Sequence, residues 1–141
     1  SEVKYQYDYI FIDCPPSLGN LTINALVASG EVIIPVSNGV WPLEGVDTLL
    51  GAIGEINYSF STNISVCGFL ITLNFPREIL GRESEKILRD NFKEKVFEST
   101  ISRNVSLNEA AGFGDIFTYA PDSSGAGDYL NFAKELIKRE K

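Results

Sequence analysis

Tyr7-Asp8-Tyr9-Ile10-Phe11-Ile12-Asp13-Cys14-Pro15-Pro16-Ser17-Leu18-Gly19 runs an apolar segment into an acidic, proline-stiffened turn. Tyr9 to Ile12 are aromatic or β-branched, which suits a strand buried on both faces of a parallel sheet, and ligands of such sheets collect at the carboxyl ends of the strands. The pattern predicts a strand over 8–13 with Asp13 at its end. Pro15 and Pro16 fix φ and remove two backbone donors, while Gly19 lets the backbone approach an anion closely. A carboxylate so placed suits a magnesium ion beside a phosphate, and equally an N-cap of the following helix.

Working outward, the chain alternates apolar runs with amphipathic ones. Strands are expected at 8–13, 31–36, 66–72 and 95–101, and helices at 18–29, 43–57, 82–93 and 125–138. Such alternation implies βαβ units: an α/β fold of three layers, a mostly parallel sheet flanked by helices. Asn57 to Asn63 reads as a polar loop. Gly112-Phe113-Gly114-Asp115 and Ala120 to Gly125 mark a long irregular crossing. The final helix places Tyr129, Leu130, Ala133, Leu136 and Ile137 on one stripe, which favours packing on the sheet over lying on a membrane.

At 141 residues and 44% hydrophobic content, one domain spanning 1–141 is expected. There is no histidine, which excludes histidine triads and histidine metal centres, and Cys14 and Cys67 give neither a disulfide framework nor zinc spacing. No apolar stretch approaches the roughly 20 residues that span a bilayer, and nothing resembles a signal peptide, so a cytoplasmic protein is expected.

The net charge of −7 is unevenly spread. Before Arg77 the only cation is Lys4, whereas Arg77, Arg82, Lys86, Arg89, Lys93, Lys95 and Arg103 are interleaved with carboxylates over 77–103. This window reads either as a solvated helix with i,i+4 pairs such as Glu85 with Arg89, or as a phosphate-tracking surface on which Arg77, Arg82, Lys86, Arg89 and Lys93 contact DNA.

Several motifs occur in a telling order: DCPPSLG at 13–19, then Leu21 to Leu26, Glu31 to Val36, and Leu43-Glu44-Gly45. Gly68 to Thr72 follows, then Ser102-Arg103-Asn104-Val105 with Leu107, Glu109 and Ala110, and finally Gly125-Ala126 with Tyr129-Leu130. This series resembles the ParA/Soj family of deviant Walker ATPases, P-loop-type enzymes that partition bacterial plasmids and chromosomes. The resemblance implies ATP and Mg2+ as cofactors, Asp13 holding magnesium through a water, and a turn through Pro15, Pro16 and Gly19 that responds to the γ-phosphate. It implies adenine near Asn74, Ser102, Arg103 and Asn104, a ParB-like partner, a homodimer, and a nucleoid-associated location.

Departures from the family pattern are equally informative. None of the twelve glycines is followed by lysine, so the chain carries no Walker A loop and reads as the carboxy-terminal half of such an ATPase, incomplete on its amino-terminal side. Ser102 stands where relatives usually have proline. Ser106, Asp115 and Ser124 stand where they often have a basic residue, which removes phosphate contacts and argues against nonspecific DNA binding.

Two functions therefore stand side by side: part of a partitioning ATPase, incompetent for hydrolysis alone, or a non-enzymatic relative acting as an interaction or dimerisation module. A Rossmann dinucleotide binder is disfavoured, because no G-x-G-x-x-G follows any strand. In this family the strand entering the phosphate loop lies between those ending at Asp13 and Val36. A chain without it is expected to borrow an edge from a partner or a second copy.

Overall fold

The computed structural model describes residues 2–37, 42–75 and 78–139. It divides into two compact units, Ser1–Val32 with Leu49–Ser65, and Ile33–Thr48 with Val66–Lys141. The regular elements are α1 (Asn20–Ser29), β1 (Glu31–Ser37), α2 (Pro42–Phe60), β2 (Ser65–Asn74), α3 (Ile79–Phe92), β3 (Val96–Ser102), α4 (Val105–Phe113), α5 (Ile116–Tyr119) and α6 (Ser124–Arg139).

The sheet is three-stranded and parallel, in the order β1-β2-β3, and helices flank it, as the alternating pattern predicts. β2 sits in the middle and is buried continuously from Gly68 to Ile71. Its side chains alternate between the faces, as a strand requires. Phe69 meets Phe92 of α3 at a ring separation of 4.3 Å. Leu70 joins Phe97, Ile101 and Leu136 in a cluster with α6. Phe97 also meets Phe132 edge-on at 5.0 Å, a favoured aromatic geometry. Gly68 is required by this packing: a Cβ there would lie 2.5 Å from the Phe97 ring and 2.9 Å from the Lys95 carbonyl oxygen.

The β2–β3 register is broken twice. Phe69 faces Val96, Ile71 faces Thr100 and Asn74 faces Ser102, so the last step uses three residues of β2 against two of β3. Leu73 absorbs the extra residue at φ 51°. Bulges of this kind re-aim the residues at a strand end.

In the other unit, Asn57 closes the turn after α2. Its Oδ1 accepts from the Ile64 amide at 2.7 Å and the Thr62 hydroxyl at 3.0 Å, while its Nδ2 donates to the Ile64 carbonyl at 3.0 Å.

The strand expected at 8–13 does not form. Residues 9–15 carry no regular structure, and Ile10, Phe11 and Ile12 are 53%, 69% and 48% exposed. A β-branched, aromatic run has the propensity for a strand, but a strand exists only through ladder hydrogen bonds to a neighbouring strand, and this segment is not part of the described three-stranded sheet. Direct pairing with the Val36 strand, the alternative to an edge borrowed from a partner or second copy, is likewise absent among the described residues. A second difference is α4 and α5, two short helices set around the crossing that the glycines suggested.

Candidate functional site

The acidic turn lies in the first unit. Asp13 is exposed and has no hydrogen-bond or ion-pair partner among the described residues, so its carboxylate is available to a hydrated cation. The turn behind it is anchored by Thr22 of α1, a buried threonine whose hydroxyl donates to the Ser17 carbonyl at 2.6 Å and lies 3.5 Å from that of Pro15. Gly19 is the N-cap residue of α1, extended at φ −87° and ψ 179°, and its carbonyl accepts the Ile23 amide at 3.0 Å. Pro15, Pro16 and Gly19 thus form a short fixed path from Asp13 into a helix. Thr22 was missed at sequence level because it reads as an ordinary helical position, and its burial is what betrays it.

The second cluster lies where β2 and β3 end. Asn74 is buried, its Nδ2 donates to Thr100 Oγ1 at 3.1 Å, and its carbonyl accepts the Arg103 amide at 3.0 Å. The Ser102 amide donates to Asp128 Oδ2 at 2.9 Å. Asn104 caps α4: its Oδ1 accepts the Leu107 amide at 3.3 Å, and its Nδ2 donates to Ser124 Oγ at 2.7 Å. The structure thus brings Asn74, Ser102, Arg103 and Asn104 together at these strand ends. It adds Thr100, Ser124 and Asp128, which no local pattern marks. Asn74 and Asn104 spend side-chain donors inside the fold, whereas the Arg103 side chain is exposed.

Of the basic candidates, Arg82, Lys86 and Lys93 are exposed, Arg77 lies outside the described residues, and Arg89 is half-buried. Arg89 Nε sits 2.9 Å from Glu85 Oε1, with Glu98 at 3.9 Å, so its charge is largely occupied within α3 and its neighbour strand. Arg82, Lys86 and Arg89 recur at helical spacing and share one face of α3.

Among the described residues no group of three or more metal-ligating side chains occurs, and no helix is long and apolar enough to cross a membrane. Asp13 alone fits a magnesium ion that keeps its waters and takes phosphate oxygens as further ligands. Residues 5–76 contain no lysine or arginine that could neutralise a phosphate.

Comparison with known proteins places the chain as a whole. A family model described as an AAA domain matches residues 1–66. The chain is 44% identical over 135 residues to the sporulation initiation inhibitor protein Soj of Bacillus subtilis, an alignment covering 95% of this chain and 53% of that protein. It is 40% identical over 141 residues to the chromosome-partitioning ATPase Soj of Treponema pallidum, covering 99% and 56% respectively. With the chromosome partitioning protein ParA of Myxococcus xanthus it shares 39% over 136 residues, covering 96% and 48%. The chain spans about half the length of the curated relatives it matches.

Proposed function

We propose, from the premise that this chain belongs to the ParA/Soj family, that it works as the carboxy-terminal part of a chromosome-partitioning ATPase. The observation that carries this is the identity of about two residues in five, in order, across nearly the whole chain. In this reading Asp13 holds a water of the magnesium ion, and the turn through Pro15, Pro16 and Gly19 transmits the presence of the γ-phosphate to α1 through Thr22. Magnesium bound there with ATP would supply positive charge to offset the phosphates. Asn74, Arg103 and Asn104 border the base, with Arg103 the one side chain of the three free to contact it. A homodimer and a ParB-like partner follow from the same family membership.

The phosphate-neutralising lysines are not among residues 5–76, so the 141-residue chain alone is expected not to hydrolyse ATP. The test is a fusion of this chain behind the amino-terminal half of Bacillus subtilis Soj. Magnesium-dependent ATP hydrolysis by the fusion, lost on Asp13→Asn while the melting temperature is kept, supports the reading. A folded fusion that binds but never hydrolyses ATP favours the interaction module instead, for which the lack of lysine and arginine in residues 5–76 is the supporting observation.

A further inference from the structure

α4 and α5 are joined through Gly114, which at φ 139° and ψ −154° occupies backbone space open essentially to glycine. The turn sets Phe113, 79% exposed, against Tyr119: the rings lie parallel within 7°, with centroids 5.5 Å apart. Tyr119 is held in place by its hydroxyl, which donates to Glu109 Oε2 at 3.1 Å, and this bond raises the phenol's pKa. Asp115 is fixed as the cap of α5 by the amide and hydroxyl of Thr118, at 2.9 and 2.7 Å. Phe117, on α5, is also half exposed.

The electrostatic setting is one-sided. From Asn104 to Ala133 the sequence contains Glu109, Asp115, Asp122 and Asp128 and no lysine or arginine. Exposed aromatic faces flanked by uncompensated carboxylates repel a phosphate backbone, and a purely apolar partner would strip water from the carboxylates without replacing it. A cation over the rings satisfies both features. The chain uses that geometry itself, with the Arg139 guanidinium 4.2 Å above the Phe97 ring.

We propose that the Phe113–Tyr119 face of α4 and α5 docks a basic segment of a protein partner, an arginine or lysine lying over the exposed rings and neighbouring cations pairing with Glu109 and Asp115. The face is pre-ordered by the Tyr119–Glu109 bond and the Asp115 cap, so little side-chain entropy is lost on binding. The proposal does not rest on the nucleotide contacts proposed above.

The test is fluorescence anisotropy at low ionic strength, titrating the 141-residue chain into a labelled peptide of alternating arginine and glycine. A glutamine-for-arginine peptide and a labelled DNA duplex serve as comparators. The arginine peptide should bind and the other two should not. Phe113→Ala should weaken binding about fivefold or more, Glu109→Gln should weaken it to a similar degree, and Glu31→Gln, outside the face, should leave it unchanged. Should Phe113→Ala fail to fold, Phe113→Leu removes the π face while keeping apolar bulk. The proposal falls if the arginine peptide does not bind, or if neither Phe113 variant changes binding. It falls equally if Glu31→Gln costs as much as Glu109→Gln, or if the duplex binds through Phe113.

Discussion

The Glu135 carboxylate of α6 accepts the Ser99 amide at 2.7 Å and the Glu98 amide at 2.8 Å, so one side chain closes the outer edge of β3. Asp128, two helical turns earlier, takes the Ser102 amide, and Arg139 donates to the carbonyls of Glu94 and Val96 at 2.9 Å each. Arg139 also pairs with Glu135 at 2.7 Å. An edge strand with free donors invites pairing with other chains, and here helix side chains stand in for the missing strand.

Glu135→Ala should therefore destabilise the fold by about 1–3 kcal/mol, the cost of leaving partly buried amides unpaired, read as a lower urea midpoint. Burial alone raises the Glu135 pKa, but the bonds from Ser99, Glu98 and Arg139 outweigh it and hold the group below its ordinary value. A depressed folded pKa contributes stability that is present above the ordinary carboxylate range and is lost as pH falls through the lowered value. Glu135→Gln should accordingly lose more stability at neutral pH than in acid, and urea titrations at both pH values measure the difference.

Three glycine substitutions should diverge. Gly68→Ala places a Cβ 2.5 Å from the Phe97 ring and should cost about 1–3 kcal/mol by overpacking. Gly125→Ala meets Leu107 at 2.6 Å and should also destabilise, less so because a leucine side chain can shift. Gly54→Ala, within α2 and with nothing inside 4 Å, should instead stabilise by about 0.5–1 kcal/mol. Thermal melts of the three variants give the order directly.

How legible this was depended on whether the information was local. β2 reads correctly because Gly68 to Ile71 is apolar on both faces, whereas α6 is a helix as its periodicity predicts but buries another face: of the expected stripe only Leu136 is buried, Tyr129, Leu130, Ala133 and Ile137 are exposed, and Ala126 and Phe132 pack instead. The 8–13 segment carries an equally clear apolar signal, but a signal for burial names no partner, and the ladder that would make it a strand is not local to it. α4 was hidden by the glycines that follow it. Asn74 and Asn104 were legible as candidates, whereas Thr100 and Asp128 became visible only when the bulge at Leu73 brought two strand ends and α6 together.

Asn104 and Arg103 should separate structural from ligand roles. Asn104→Ala removes the α4 cap and the bond to Ser124, and should cost about 0.5–2 kcal/mol of stability. In the Soj fusion it should leave the preference for ATP over GTP unchanged. Arg103→Ala, whose side chain is exposed, should leave stability within about 0.5 kcal/mol and raise the KM for ATP. If the two variants exchange these behaviours, the assignment of Arg103 to the base is wrong.

Edge and apolar exposure lead to a last expectation, self-association. β1 is the other border of the described sheet, and unlike β3 it has no side-chain cover of this kind among the described residues; Pro35 removes one donor from it, as prolines on edge strands do. Separately, Tyr5, Tyr7, Phe11 and Leu21 are more than half exposed within the first unit, and contiguous exposed apolar surface favours association. The chain should therefore form dimers or larger species whose proportion grows with concentration in light scattering. Phe11→Lys, at a residue 69% exposed, should shift the distribution toward monomer without lowering the melting temperature. A monomer at every concentration, or a Phe11→Lys variant that associates as the parent does, would show that this surface does not drive assembly.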